Sequence, residues 1–276
     1  MTRKKNRSKK WIMILLVLII IIPPWLWWQN NGLMVTRHTV QTKTVSPDLD
    51  GTRIVHLSDL QSKWYGNRQK SLSDKVAGLE PDLIVFSGDL MDANHYDEEA
   101  GLTLMEQLVD IAPVYFVSGN HEHWAGTWAQ VKDKLVDLGV HVVDGTSLTP
   151  EKYPDLRIFG LEDPVGTGMN DFIATRQAFT LYGDQFNILL AHRPELNHLY
   201  EGFDLVFAGH AHGGQVRLPF IGGVIAPNQG FFPEFTEGLH QVGDTCLVIS
   251  RGLGNSIAPV RIFNRPEIVV IDLRSQ

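Results

Sequence analysis

Asp204-Leu205-Val206-Phe207-Ala208-Gly209-His210-Ala211-His212-Gly213-Gly214 is a short apolar run that ends on two histidines spaced i, i+2. Branched and aromatic residues in a run of this length point to a buried strand. The glycines after it end the strand and let the backbone bend where side chains would crowd. Two imidazoles leaving one strand end suit a metal ion. From this stretch alone, a turn that happens to carry two histidines is the competing reading.

The pattern recurs upstream. Arg53 to Leu57 reads as a strand ending at Ser58-Asp59, Asp82 to Phe86 as one ending at Ser87-Gly88-Asp89, and Val114 to Val117 as one ending at Ser118-Gly119-Asn120-His121. Phe186 to Ala191 ends at His192, and Leu156 to Leu161 runs into Glu162-Asp163-Pro164. Between them, Ser71 to Leu79, Gly101 to Ile111, Trp128 to Leu138 and Asp171 to Leu181 have helical character; Leu102, Met105, Leu108 and Val109 share one face of the second. Val35 to Val45 alternates polar and apolar residues and reads as an edge strand, while Thr245 to Ser250 and Ile268 to Leu273 are late strands. Strand, polar turn and helix in repetition define an α/β protein. In such sheets, ligands bind outside the carboxyl ends of strands. Five strands ending on metal-type ligands, at Asp59, Asp89, Asn120, His192, and His210 with His212, exceed what turn chemistry alone explains, although Asp, Asn and Gly are also the usual turn formers.

A chain of 276 residues, 43% apolar and 20% charged, can bury a sizeable core. The net charge is -7 although Arg3, Lys4, Lys5, Arg7, Lys9 and Lys10 are all basic, so the remainder is more acidic than the total. That disfavours nucleic acid as a partner, because phosphate backbones reward a basic surface. Cys246 is the only cysteine, which excludes an internal disulfide and a thiolate metal cluster. Trp11 to Trp28 contains no charge. Eighteen residues at 1.5 Å each span about 27 Å, close to the roughly 30 Å core of a bilayer. The segment therefore reads as a single-pass transmembrane helix, with the basic tail in the cytoplasm and Trp25, Trp27 and Trp28 at the far interface. Pro23-Pro24 should bend or end it. A cleaved signal peptide lacks a small-x-small site here, and a monotopic segment lacks a polar face. The expected location is the cell membrane, with the remaining chain extracytoplasmic.

Asp, Asn and His side chains without sulfur suit Mn, Fe, Zn or Co better than Cu(I), and they are richer in imidazole than a Ca or Mg cage. Six or seven ligands are too many for one tetrahedral ion, so two divalent cations are the natural count. A pair about 3.5–4 Å apart can hold a bridging hydroxide and clamp a phosphoryl group. A carboxylate shared by both ions is then needed.

Asp59-Leu60-Gln61, Gly88-Asp89-Leu90-Met91-Asp92, Gly119-Asn120-His121-Glu122, His192 and Gly209-His210-Ala211-His212 together resemble the calcineurin-like metallophosphoesterases, in order and in spacing. The resemblance covers roughly Arg53 to Leu273. The tail, Gly213-Gly214-Gln215-Val216-Arg217-Leu218-Pro219 through Ser250-Arg251-Gly252-Leu253-Gly254-Asn255, is similar to a bacterial branch of membrane-attached or exported phosphodiesterases related to UDP-2,3-diacylglucosamine hydrolases. It implies a four-layer αββα sandwich of two mixed sheets, here expected after one N-terminal transmembrane helix. The expected organisation is a basic tail (1–10), an anchor (11–28), a linker with an edge strand (29–52) and a metallophosphoesterase domain (53–276).

The resemblance implies roles as well. Asp59 and His212 hold one metal, Asp89 bridges, and Asn120, His192 and His210 hold the other. His121 contacts the phosphate and protonates the leaving oxygen as general acid. Asp92 orients a ligand from behind. Manganese is favoured over iron or zinc. The family's first motif is Asp-x-His, and here the third residue is Gln61, whose amide is a weaker donor than imidazole. Gln61 either ligates through its oxygen or hydrogen-bonds a metal-held water. The expected function is a membrane-anchored phosphodiesterase or pyrophosphatase acting on a phosphate ester, lipid- or envelope-linked; the alternative is an impaired, tethered metal- and phosphate-binding protein.

Several residues stay open on sequence alone. His56 is a packed histidine or one that supports a ligand. Glu122 and His123 shape the rim. Phe231-Phe232-Pro233-Glu234-Phe235 is a buried loop or an apolar lip. Arg251 forms a salt bridge or binds a phosphate.

Overall fold

The computed structural model describes residues 2–255 and 260–276, with side chains except at 2–9, 12, 14 and 16. In chain order the elements are α1 (Thr2–Asn31), β1 (Met34–Thr42), β2 (Arg53–Leu57), α2 (Lys70–Ala77), β3 (Leu83–Phe86), α3 (Glu98–Val109), β4 (Val114–Phe116), α4 (Asn120–Trp124), α5 (Trp128–Asp137), β5 (His141–Val142) and β6 (Ser147–Leu148). There follow β7 (Leu156–Leu161), α6 (Pro164–Thr167), α7 (Met169–Ala178), β8 (Phe186–Ala191), β9 (Leu205–Ala208), β10 (Arg217–Leu218), β11 (Gly222–Gly223), β12 (Ile225–Ala226), β13 (Gly230–Phe231), β14 (Gly238–Val242), β15 (Thr245–Ile249) and β16 (Glu267–Ser275).

The inner strands β2, β3, β4, β7, β8 and β9 read as apolar runs because both faces of each sheet are covered. One sheet has the order β1-β16-β2-β3-β4-β5 and the other β14-β15-β9-β8-β7-β6. Both are mixed. In the first, β16 runs antiparallel to β2 while β2, β3, β4 and β5 are parallel. In the second, the parallel run β7, β8, β9 and β15 is flanked by antiparallel β6 and β14. Side chains that alternate along each strand divide between an inner and an outer core. Ile54, Leu83 and Val85 face Ile188, Leu205 and Phe207 between the sheets. Val55, Leu57, Ile84 and Phe86 face Leu72, Leu104, Leu108 and Leu135 of the helices over the first sheet. Leu189, Val206 and Leu247 pack with Phe172 of α7 on the other side. The layers are thus helix, sheet, sheet, helix, as expected. Val35 to Val45 overlaps the edge strand β1, which runs from Met34 to Thr42 and lies parallel to β16.

The N-terminal segment requires a correction. It is helical, but among the described residues no helix is long and apolar enough to cross a membrane. The side chains at 12, 14 and 16 lie outside the described residues, as do the basic ones at 3, 4, 5, 7 and 9. The helix also continues through Pro23-Pro24 to Asn31 instead of ending there. Its last turns belong to the folded domain. Trp25 meets Phe263 edge-on with centroids 5.4 Å apart, and the Arg265 guanidinium sits 4.2 Å from the Trp28 ring. Arg261 N–H donates to Asn30 Oδ1 at 3.0 Å, and Lys63 donates to the Asn30 carbonyl. Two of the tryptophans read as interfacial anchors are therefore engaged by protein. The transmembrane anchor, membrane attachment through it, and the extracytoplasmic placement that depended on it are withdrawn.

Candidate metal centre

Every sequence-predicted ligand lies just past a strand end. Asp59 and Gln61 follow β2, Asp89 follows β3, Asn120 opens α4 after β4, His192 follows β8, and His210 and His212 follow β9. Asp59, Asp89, His192, His210, His212, Asn120 and Gln61 are all buried. Backbone φ is positive at Asp59 (53°), Gln61 (52°), Asp89 (57°), His210 (62°) and His212 (46°). A non-glycine residue in this left-handed region costs about 1–3 kcal/mol, and such strain gathers at functional sites. Five instances among seven predicted ligands mark this as the built part of the molecule. Close approach of the two sheets also demands glycine. A Cβ on Gly209 would lie 1.9 Å from Ser58 Oγ and 2.4 Å from Asp59 Oδ2.

The ligand atoms fall into two groups that share Asp89. Asp89, His192 and His210 form one, and Asp59, Asp89 and His212 the other, with the ligand atoms of each group within 4.8 Å of one another. In the first, His192 Nε2 is 3.2 Å from Asp89 Oδ2 and His210 Nδ1 is 3.2 Å from His192 Nε2. His192 Nδ1 lies 2.7 Å from the Ser87 carbonyl, to which its N–H donates, so Nε2 is the nitrogen that faces Asp89 and the one a cation would take in place of a proton. In the second, His212 Nε2 is 3.4 Å from Asp59 Oδ1. Asp59 also accepts the His210 backbone N–H at 3.0 Å, which joins one sheet's loop to the other's. Gln61 donates its amide N–H to Asp89 Oδ2 at 2.8 Å.

Two observations test whether the donors suit a cation. The amide oxygens of Asn120 and Gln61 are buried and have no hydrogen-bond partner among the described residues. An orphaned buried carbonyl is costly unless something electropositive meets it. The set is also two carboxylates, two amide oxygens and three imidazoles, the hard and borderline donors that Mn, Fe or Zn take. The residues fit. Electrostatics agrees that the cluster is strongly coupled. Burial alone would hold Asp89 high, but His192 beside it draws it well below the usual carboxylate range. Burial would lower His192, yet Asp89 and Asp59 raise it to about 10. Burial pushes Asp59 up to about 7 and, with Arg261 nearby, His212 down to about 3.

His121 and Asp92 stand beside the cluster, not in it. Ala93 N–H donates to His121 Nδ1 at 3.0 Å, and Asp92 Oδ1 lies 3.4 Å from the same nitrogen. With Nδ1 occupied as an acceptor, the neutral ring carries its proton on Nε2. The His121 backbone N–H donates to Asp89 Oδ1 at 2.9 Å. A cavity of about 440 Å³ is lined by Gln61, Asp89, Asp92, Asn120, His121, Trp124, His210 and His212. Five of the seven candidate ligands, with His121 and Asp92, thus open onto one space.

A family model for calcineurin-like phosphoesterases matches residues 52–214, more than half of the chain. The chain belongs to the calcineurin-like metallophosphoesterases. It is 32% identical over 249 residues to the uncharacterized metallophosphoesterase YkuE of Bacillus subtilis, covering 87% of this chain and 85% of that one. It is 29% identical over 214 residues to phosphodiesterase YaeI of Escherichia coli, covering 73% and 75%. It is 26% identical over 296 residues to UDP-2,3-diacylglucosamine pyrophosphatase LpxG of Chlamydia muridarum, covering 87% and 89%. With that family and two Asp/His triads sharing one carboxylate, this metallophosphoesterase is a metal-dependent hydrolase with a dinuclear divalent-metal site.

Some residues of the site escape a reading of sequence. Glu122 is buried, not a rim residue: its carboxylate accepts the backbone N–H groups of Asp89, Leu90, Met91 and Gly119 at 2.7–3.2 Å. It clamps the loop after β3 to the start of α4. Gly-Asn-His-Glu, with an acid three residues after a helix cap, was the available signal. Arg261 is fully buried, donates to the Gly254 and Arg251 carbonyls and reaches His212 Nδ1 at 3.5 Å. A lone arginine within Pro259-Val260-Arg261-Ile262-Phe263 gave no sign of this in the sequence. Glu195 Oε1 lies 3.8 Å from His210 Nε2 and accepts from Asn228, which also contacts that nitrogen at 3.2 Å. Of the open residues, His56 packs edge-on against Phe207 with Nε2 2.7 Å from Ser87 Oγ, and Arg251 pairs with Glu237 and Glu267. Phe231 and Phe232 are exposed, whereas Phe235 packs against the outer core of the second sheet.

Proposed function

We propose that this metallophosphoesterase hydrolyses a phosphodiester or pyrophosphate in the cavity bounded by Asp89 and His121. Two divalent cations supply Lewis acidity and bring the pKa of water towards neutrality. Asp59 and His212, with Gln61 alongside, hold one; Asn120, His192 and His210 hold the other; Asp89 belongs to both. His121 holds its proton at Nε2 and gives it to the departing oxygen, the Ala93 N–H fixes the ring from behind, and the Asp92 carboxylate beside Nδ1 favours the charge a protonated ring would carry. The observation that carries this reading is the single carboxylate, Asp89, common to both triads and facing the same cavity as His121.

The test is turnover of bis-p-nitrophenyl phosphate by the protein with Mn²⁺. We expect hydrolysis by wild type, and a loss of about 10²–10⁴-fold in His121→Ala with both cations retained. No turnover with any divalent metal would overturn the reading and leave a metal- and phosphate-binding protein.

We infer more finely that the substrate lies near those of the UDP-2,3-diacylglucosamine hydrolases. The support is the resemblance of the tail from Gly213 to Asn255, the similarity to LpxG, and an exposed apolar edge at Phe220, Ile221, Phe231 and Phe232 on hairpins whose neighbour Pro227 lines the cavity. Release of UMP from UDP-2,3-diacylglucosamine, unmatched by UDP-N-acetylglucosamine, is the expected result. Equal rates on both would remove the apolar edge from the account.

A further inference from the structure

Trp124 is the last residue of α4, one helical turn beyond His121. Residues three apart share a helix face, so the indole stands beside the imidazole; their centroids are 5.1 Å apart and the planes tilt by 59°. The contact uses little of the indole. Trp124 is 59% exposed, and its surface lines the catalytic cavity. An indole is among the largest apolar surfaces a protein can bury, and this one stays open at the mouth of the site. Gly126, with φ at +71°, turns the chain away directly afterwards, so the helix ends where it presents the ring. His121, the group placed to protonate the leaving oxygen, fixes which end of the substrate Trp124 meets.

We propose that Trp124 is a stacking platform for the leaving group, and that this enzyme prefers phosphoesters whose leaving group carries a flat aromatic or heteroaromatic ring. The inference rests on the proposed role of His121 and adds to it the side of the cavity on which specificity is set. The indole face offers stacking without hydrogen-bond readout, so it selects for a planar π-system and not for a particular base. Trp124 positions the leaving group and takes no part in proton transfer.

Binding of monoesters, in which the single ester group is the leaving group, tests this without requiring turnover. Calorimetry on the Mn²⁺-loaded protein compares p-nitrophenyl phosphate, with its ring on the ester oxygen, adenosine 5′-monophosphate, with its ring one sugar away, and methyl phosphate, with no ring. Wild type should bind at least one ring-bearing monoester about tenfold more tightly than methyl phosphate. Trp124→Ala should reduce that preference to near unity while leaving methyl phosphate affinity unchanged, and Trp124→Phe should keep most of it. The indole is largely exposed, so both variants should melt as wild type does. If Trp124→Ala weakens all three ligands equally, the ring only holds His121 and the proposal fails. It also fails if wild type shows no preference for a ring. Failure to bind methyl phosphate at all would instead strike the phosphoesterase reading itself.

Discussion

Gly209 shows how tightly the site is drawn. Its missing Cβ is what lets the β9 loop approach Ser58 and Asp59. Gly209→Ala should displace the Asp59 carboxylate and weaken the cation shared with His212 by at least tenfold, with the Asp89–His192–His210 group less affected; titration with Mn²⁺ measures both. Gln61 is the other informative residue. Its Oε1 is buried without a hydrogen-bond partner and its Nε2 leans on Asp89. Replacing an amide with imidazole gives a stronger donor for these metals, so Gln61→His should retain or raise activity and tighten metal binding. Loss of metal with the fold intact would place Gln61 outside the coordination sphere. At this scale the chemistry was readable in advance, because Asp59, Asp89, His210 and His212 declare themselves by residue type at strand ends. The orientation of each ring was not. Which His192 nitrogen faces the other ligands depends on the Ser87 carbonyl, and the proton position on His121 depends on Ala93, two backbone groups that no sequence pattern distinguishes.

Strands and helices set where those residues meet. The two sheets contribute different halves of the site: β2, β3 and β4 deliver Asp59, Asp89 and Asn120, whereas β8 and β9 deliver the histidines. His56 of β2 sits where the sheets touch, against Phe207 of β9, and burial lowers its pKa to about 3. The folded chain thus keeps this ring neutral where the unfolded chain, with an ordinary histidine pKa near 6.5, takes up a proton. Its contribution is present above about pH 6.5 and is lost as pH falls towards 3. Thermal melts from pH 7 to 4 should therefore show a steeper loss for wild type than for His56→Leu; parallel curves would show that His56 does not titrate on unfolding. The parallel strands and the helices between them were legible from apolar runs and helical spacing. The two-residue strands β10 to β13 were not, because elements that short carry no periodicity. The clamp made by Glu122 was hidden for another reason: its four partners are backbone amides.

For the whole molecule, cations held by these ligands would fasten one sheet to the other. Ligands that bind only the folded chain stabilise it by RT ln(1 + [M]/Kd), about 2.7 kcal/mol per site at a hundredfold excess. Stripping metal with EDTA should accordingly lower the melting temperature by at least roughly 5 °C, and Mn²⁺ should restore it; an unchanged melt would show that the centre does not join the halves. At this scale the sequence misled in one place. The run from Trp11 to Trp28 has the composition of a span, yet α1 ends by docking Trp25, Trp28 and Asn30 on the domain, through Phe263, Arg265 and Arg261. Those contacts join residues more than two hundred positions apart, beyond the reach of any window of hydropathy.

The central claim is that Asp89 serves two cations at once, one with each group of histidines. Anomalous diffraction at the manganese edge from crystals of the Mn²⁺-loaded protein tests it directly. Two peaks about 3.5–4 Å apart, one on either side of the Asp89 carboxylate, are the predicted result; a single peak, or two peaks that share no ligand, would contradict it.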